Sequence, residues 1–174
     1  MPTRETILQT LAEEHARLLA RYQAFTPEEL DTICTESEDP NGSPWRPKDH
    51  LAHLALIEHS FQKMIRRSLK GSEDAVGFSR LGAKSKEEVM AWIHHQNQKY
   101  VDAHRDDDMA TLLADLEEAR QETLALLAQL TDEQLTEPVT GAPWNDGTIG
   151  GVLITNAHHE GQHLHWIEEG LHAH

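Results

Sequence analysis

The chain has 174 residues, 38% of them hydrophobic, which is enough for one core beneath a strongly charged surface. Thirty acidic and 15 basic residues give a formal net charge of −15. Such a field repels phosphate backbones and anionic lipids, so neither nucleic acid nor a membrane is expected as a partner. A single cysteine, Cys34, excludes an internal disulfide framework and is read as a bystander in a polar loop rather than a nucleophile. The opening MPTRETILQTLAEEH carries charges every few residues instead of a signal-peptide core, and no run approaches the roughly 20 apolar residues of a membrane span. A cytoplasmic setting is the expectation.

A first helix is predicted from Thr3 to about Phe25, where Ile7, Leu11, His15, Leu18 and Tyr22 form one stripe. Thr26-Pro27-Glu28-Glu29 then offers an N-cap, a proline at the first helical position and a glutamate at the third, opening a short helical turn. Residues 34–45, CTESEDPNGSPW, have loop chemistry. A second long helix is predicted from near Pro47 to a stop at Gly71, with His50, His53 or Leu54, Ile57, Phe61, Met64 and Ser68 on its stripe. A loop over 72–84 leads to Ser85-Lys86-Glu87-Glu88, which opens a third helix reaching about His104. Asp106-Asp107-Asp108 mark a break.

From about Met109 to Leu130 the apolar positions Leu112, Leu116, Ala119, Leu126 and Leu130, with Thr123, fall in heptad steps. Thr131-Asp132-Glu133-Gln134-Leu135 opens another short turn, and residues 136–147 read as loop. The last helix is predicted from about Thr148 to Leu171, its stripe being Ile149, Val152, Asn156, His159, His163, Trp166 and Gly170. β-branched alternation is absent, so the fold class expected is all-α, one helical bundle over residues 1–174. A weak internal repeat is visible: each half runs leucine-rich helix, T-[PD]-E-x-L turn, P-W, then a histidine-bearing helix. If the halves correspond, the two histidine-bearing helices occupy equivalent places.

Thirteen histidines are present, against about 4 in an average composition. His159 and His163 stand four apart, which puts both imidazoles on one face, one turn apart. They share the stripe that carries Ile149 and Val152, so they are expected to point inward. A buried imidazole without a partner costs on the order of 1–3 kcal/mol, and a shared metal ion removes that penalty. His53, in DHLAHLALIEH, supplies a third inward nitrogen from another helix. Three protein ligands with positions left open make the arrangement of a catalytic rather than a closed structural site.

The chain resembles the DinB/YfiT-like superfamily of metalloenzymes, which includes the mycothiol and bacillithiol transferase relatives and the colibactin-resistance proteins of the ClbS/DfsB type. The resemblance covers nearly the whole sequence. It rests on the leucine-rich first helix, the T-x-E-E-L turn, Trp45-Arg46-Pro47-Lys48-Asp49-His50-Leu51-Ala52-His53-Leu54, and the closing His159-Glu160-Gly161-Gln162-His163 with Trp166-Ile167. It implies a four-helix bundle with long connections and one additional helix, and His53, His159 and His163 as metal ligands. A second register aligns HHEGQ with a family ending H-H-R-G-Q, which makes His159 the last ligand and puts Thr155 in the other place. The first register keeps two histidines and the trailing Trp166-Ile167.

Imidazole suits zinc, nickel, iron and copper alike; zinc or nickel is expected here. The resemblance implies thiol transfer to a small electrophile with a low-molecular-weight thiol as co-substrate, or hydrolysis of such a molecule. A non-catalytic binding or protective role is the alternative. His15 and His94 are the candidates for a catalytic base, with a packed, hydrogen-bonded role as the plainer reading of His15. His50, His59, His158 and His165 are expected as flanking surface or groove groups, and His172 and His174 at a disordered terminus. Members of this group pair through helices, so a homodimer is implied as well.

Overall fold

The computed structural model describes residues 2–82 and 85–173. Ala83 and Lys84 of the expected 72–84 loop lie outside the described residues, as does His174. The described residues form α1 (Arg4–Ala24), α2 (Pro27–Asp31), α3 (Pro47–Leu69), α4 (Lys86–Ala103), α5 (Met109–Gln129), α6 (Asp132–Leu135) and α7 (Ile149–His172), with a 3-10 turn over Phe78–Leu81. The fold is all-α, and no strand occurs among the described residues. α7 runs to His172, whose Nδ1 lies 2.6 Å from the Glu168 carbonyl oxygen, so the disorder expected at His172 is not found.

Local chemistry sets the helix ends. Thr3, Asp108 and Thr148 are N-caps whose side-chain oxygens accept the backbone N–H three residues on. Thr26 with Glu29, and Thr131 with Gln134, form reciprocal capping boxes on the two short helices. At α3, the Asp49 carboxylate accepts from the Arg46 N–H at 2.8 Å and pairs with its guanidinium at 3.0 Å.

Four long helices build the bundle. α1 packs on α7, α5 packs on α3, and α3 also touches α7 and α4. The two halves of the repeat are laid out alike. Each has a long helix, a short capped helix, an isolated antiparallel bridge (Thr35 with Trp45, Pro138 with Thr148) and a histidine-bearing helix. α3 and α7, the corresponding helices, pack against each other.

The apolar core is in two parts. One holds Ile7, Leu11, Phe61, Ile65, Leu127 and Leu153; the other holds Leu18, Tyr22, Leu51, Leu54, Leu116 and Leu164. Each fully buried Leu or Ile contributes on the order of 2 kcal/mol. Between the two parts, every long helix contributes a polar residue: His15 from α1, Glu58 from α3, Arg120 from α5 and Glu160 from α7. The last three are buried to 2% exposure.

Candidate metal centre

α3 and α7 bring His53, His159 and His163 together. One ring nitrogen from each lies within 4.8 Å of the others. His53 and His163 are each 1% exposed, and His159 is half-buried. Ring centroids stand 4.8 Å apart for His53 and His163, 4.4 Å for His159 and His163, and 5.3 Å for His53 and His159. His163 Nε2 faces His159 Nε2 at 3.0 Å. In the alternative register Thr155 takes a ligand position, but its hydroxyl donates to the Gly151 carbonyl at 2.9 Å, within its own helix.

The donor set fits a divalent ion. Nitrogens bound to one tetrahedral zinc stand roughly 3.4 Å apart for bonds of about 2.0–2.1 Å; here His159 Nε2 and His163 Nε2 stand 3.0 Å apart and all three donors lie within 4.8 Å of one another. His53 Nδ1 is buried without a hydrogen-bond partner, an expensive state for an imidazole that does nothing else. Burial holds all three rings neutral: desolvation pushes His159 down to about 4 and drives His53 and His163 well below 6.5. A neutral ring has a lone pair to offer.

His50 departs from the expectation of a surface or groove group. It is 1% exposed, one turn before His53 on α3. Its Nδ1 lies 2.7 Å from His163 Nδ1, and its Nε2 lies 2.9 Å from the Thr35 hydroxyl. Desolvation lowers its pKa to about 3. Two neutral rings meeting nitrogen to nitrogen need one N–H and one lone pair. With the His163 Nδ1–H donating to His50, the His163 Nε2 lone pair is free for the cluster. The i, i+3 spacing of His50 and His53 carried this signal; reading His50 as a flanking residue missed it. Trp45 walls the same site: its ring lies 5.0 Å from His53, and its Nε1–H donates to Gln98 Oε1 at 2.9 Å. A cavity of about 420 Å³ opens onto His50 and His163, between Trp45 and Trp166 and beside Glu36, Glu38 and Glu169. Trp166, expected on the inward stripe, is 37% exposed and rests its ring 4.9 Å from His163, while Ile167 takes the buried place.

His15 does not join the three rings. Its Nδ1 and Nε2 are engaged by Glu160 at 2.9 Å and Glu117 at 3.0 Å, so both nitrogens must carry protons. Desolvation, the largest single influence, opposes that charge; the hydrogen bond to Glu160, its negative charge and the hydrogen bond to Glu117 together outweigh it, leaving the pKa raised. Arg120 completes the layer, with Nε 3.1 Å from Glu58 and Nη2 2.9 Å from Glu160. These contacts lie outside hydrogen-bond geometry, so charge rather than directional bonding holds them. Burial raises the Glu58 pKa. His94, on α4, stands 3.9 Å from Glu38 and close enough to His53 to disfavour its protonation. Cys34 is buried, not in an open polar loop; its Sγ lies 3.5 Å from the Trp45 carbonyl, and desolvation pushes its pKa up to about 12. At neutral pH it is a thiol and a poor nucleophile.

A helical bundle with a three-imidazole cluster shared by its two central helices is therefore the class of protein in hand. The family model described as the DinB superfamily matches residues 1–56 and 37–167, and the chain belongs to that superfamily. No curated protein matches it in sequence. Two solved structures share its fold. An uncharacterised protein from Escherichia coli UTI89 is 18% identical with a TM-score of 0.71, over 98% of this chain and 94% of its own. The colibactin self-resistance protein ClbS, crystallised in complex with dsDNA, is 18% identical with a TM-score of 0.70, over 96% and 94%.

The ClbS complex overturns the exclusion of nucleic acid drawn from net charge. A summed charge says nothing of its distribution. Residues 63–99 hold eight of the 15 basic residues and only four acidic ones, a local balance of +4 inside a chain of −15. No helix among the described residues is long and apolar enough to cross a membrane.

Proposed function

We propose that the protein is a metal-dependent enzyme that transfers a small thiol to, or hydrolyses, an electrophilic small molecule, with His53, His159 and His163 holding a zinc or nickel ion. The observation that carries this reading is the convergence of three neutral, desolvated imidazoles, one with an unpartnered buried nitrogen. Such an ion supplies Lewis acidity and brings the pKa of a water or thiol toward neutrality. The protein's own residues do the rest. His50 and Thr35 hold the His163 ring in the tautomer that presents Nε2. Trp45 and Trp166 flank the cavity that opens onto His50 and His163. His94, the only one of the two proposed bases beside the cluster and not held between carboxylates, is the group that takes a proton from the incoming nucleophile.

Elemental analysis of untagged protein tests the reading. About one equivalent of zinc or nickel is expected in the wild type, and none in His53→Ala. A metal content that survives that substitution refutes the ligand set. Turnover is assayed as loss of free thiol against an electrophile such as an epoxide or a maleimide.

A second reading is protection by binding without turnover. ClbS, a self-resistance protein crystallised with dsDNA, and the basic 63–99 stretch favour it. Its sign is retention of duplex DNA by the wild type and weaker retention by Arg66→Gln/Lys70→Gln, both exposed at the end of α3.

A further inference from the structure

A cavity of about 820 Å³ lies along the seam of α3 and α4 and is bordered by residues 76–78 and Trp144. That volume suits a small-molecule site. Five aromatic rings line it: Phe61, Phe78, Trp92, Tyr100 and Trp144. Phe61 and Trp144 meet edge to face at 5.3 Å, which stiffens that end. Trp92, at 47% exposure, is costly to leave in water without an occupant.

The cations are the second observation. Lys63, Arg67 and Lys99 line the same cavity. Elsewhere, Arg4, Arg17, Arg21, Arg46, Lys48, Arg105 and Arg120 pair with carboxylates, while Arg66 and Lys70, exposed at the end of α3, form no ion pair among the described residues. Lys63, Arg67 and Lys99 form no ion pair among the described residues, although the chain carries twice as many acids as bases. Three unpaired cations beside an aromatic wall are complementary to an organic anion.

The third is position. Leu56 and Ile57 of the lining stand one turn beyond His53 on α3, and Ile93 and Asn97 flank His94 on α4. One end of the groove therefore adjoins the imidazole cluster. The cations lie further on: at 1.5 Å per residue, Lys63 is about 15 Å and Arg67 about 21 Å along α3 from His53.

We propose that the α3–α4 groove binds an elongated organic anion, its flat apolar body against the aromatic wall, its charged end held by Lys63, Arg67 and Lys99, and its far end directed toward His53. Binding stands without the reading of the reaction above; only the direction toward His53 rests on it.

The test is fluorescence titration of the full chain with 8-anilinonaphthalene-1-sulfonate in the presence of a chelator, so a failure of metal binding does not affect the result. Saturable one-to-one binding is expected, with energy transfer from the lining tryptophans. Lys63→Gln/Arg67→Gln/Lys99→Gln should weaken it at least tenfold, and Lys99→Gln alone about threefold. The neutral analogue N-phenyl-1-naphthylamine should change less than twofold in both variants. Arg66→Gln/Lys70→Gln, on the same helix but outside the groove, should leave the sulfonate probe within twofold of wild type. The proposal is overturned by non-saturable binding, by a triple variant that keeps wild-type affinity, or by equal loss of both probes. It is also overturned if Arg66→Gln/Lys70→Gln weakens the probe as much as the triple variant, because diffuse surface charge of the kind that meets a duplex would then explain the binding.

Discussion

Removing Arg120 tests the polar layer that divides the core. Arg120→Met keeps much of the side-chain volume and deletes the cation between Glu58 and Glu160, both 2% exposed. Glu160 keeps its contact with protonated His15 at 2.9 Å, while Glu58 loses its ion pair. Breaking a buried pair by deleting one partner costs about 3–5 kcal/mol. An independent ceiling comes from protonation: neutralising a carboxylate of reference pKa about 4.3 at pH 7.0 costs about 3.7 kcal/mol. The two figures agree, so a loss of about 3–4 kcal/mol is expected at pH 7.0.

The loss should depend on pH. In the variant the folded-state pKa of Glu58 lies far above its unfolded value, so stability returns as pH falls. Between pH 7.0 and 5.5 the ceiling drops by about 2 kcal/mol. Urea denaturation followed by circular dichroism at both pH values measures this, and at about 2–4 °C per kcal/mol the melting temperature should fall by about 6–16 °C at pH 7.0. Glu58→Gln/Arg120→Met should recover most of the loss, since it leaves no unpaired charge. A loss under about 1 kcal/mol at pH 7.0, or one equal at both pH values, would refute the argument.

The depressed histidines act with the opposite sign. Their folded pKa values lie below the unfolded 6.5, so the stability they contribute is present above pH 6.5 and is lost on acidification toward the folded value. For His159, at about 4 in the folded chain, that loss is about 2 kcal/mol at pH 5.0. Metal-free His159→Gln should thus lose about 2 kcal/mol less than wild type between pH 7.5 and 5.0; parallel titrations would count against a buried neutral ring. His50→Phe removes the acceptor for His163 Nδ1–H and should weaken metal affinity about 10–100-fold in competition with a chelating dye. His50→Asn, whose amide oxygen can stand in for Nδ1, should recover part of it; equal loss in both variants would make His50 a packing residue only. Gly170 is close-packed, since a Cβ there would collide with the Cys34 carbonyl oxygen. Gly170→Ala should therefore cost about 1–3 kcal/mol by thermal denaturation, and a neutral result would show that the 34–45 segment moves freely off α7.

Much of the fold was legible in the chain. Helix starts depend on neighbours in sequence, and caps such as Thr26, Asp108 and Thr148 stand where hydrogen-bonding chemistry puts them. Ile7, Leu11, Leu18 and Tyr22, and the heptad positions of α5, were readable because a helix buries whatever recurs on one face, and all of them are buried. The His159 and His163 pair followed from the same geometry. His53 was nameable only as a third nitrogen from another helix, since spacing along one element says nothing of the angle between two.

The tertiary structure decided the rest. His50 reads as a flanking residue until α7 brings the His163 ring against it. Glu58 and Arg120 are ordinary charges on amphipathic helices until four helices set His15, Glu58, Arg120 and Glu160 at one level. Net charge is a sum, whereas Lys63, Arg67 and Lys99 share one groove only because α3 and α4 pack side by side. Capping and periodicity are local and travel with the sequence; the company a buried side chain keeps is set by distances between segments far apart in the chain, 145 residues for His15 and Glu160, and those exist only in the folded chain.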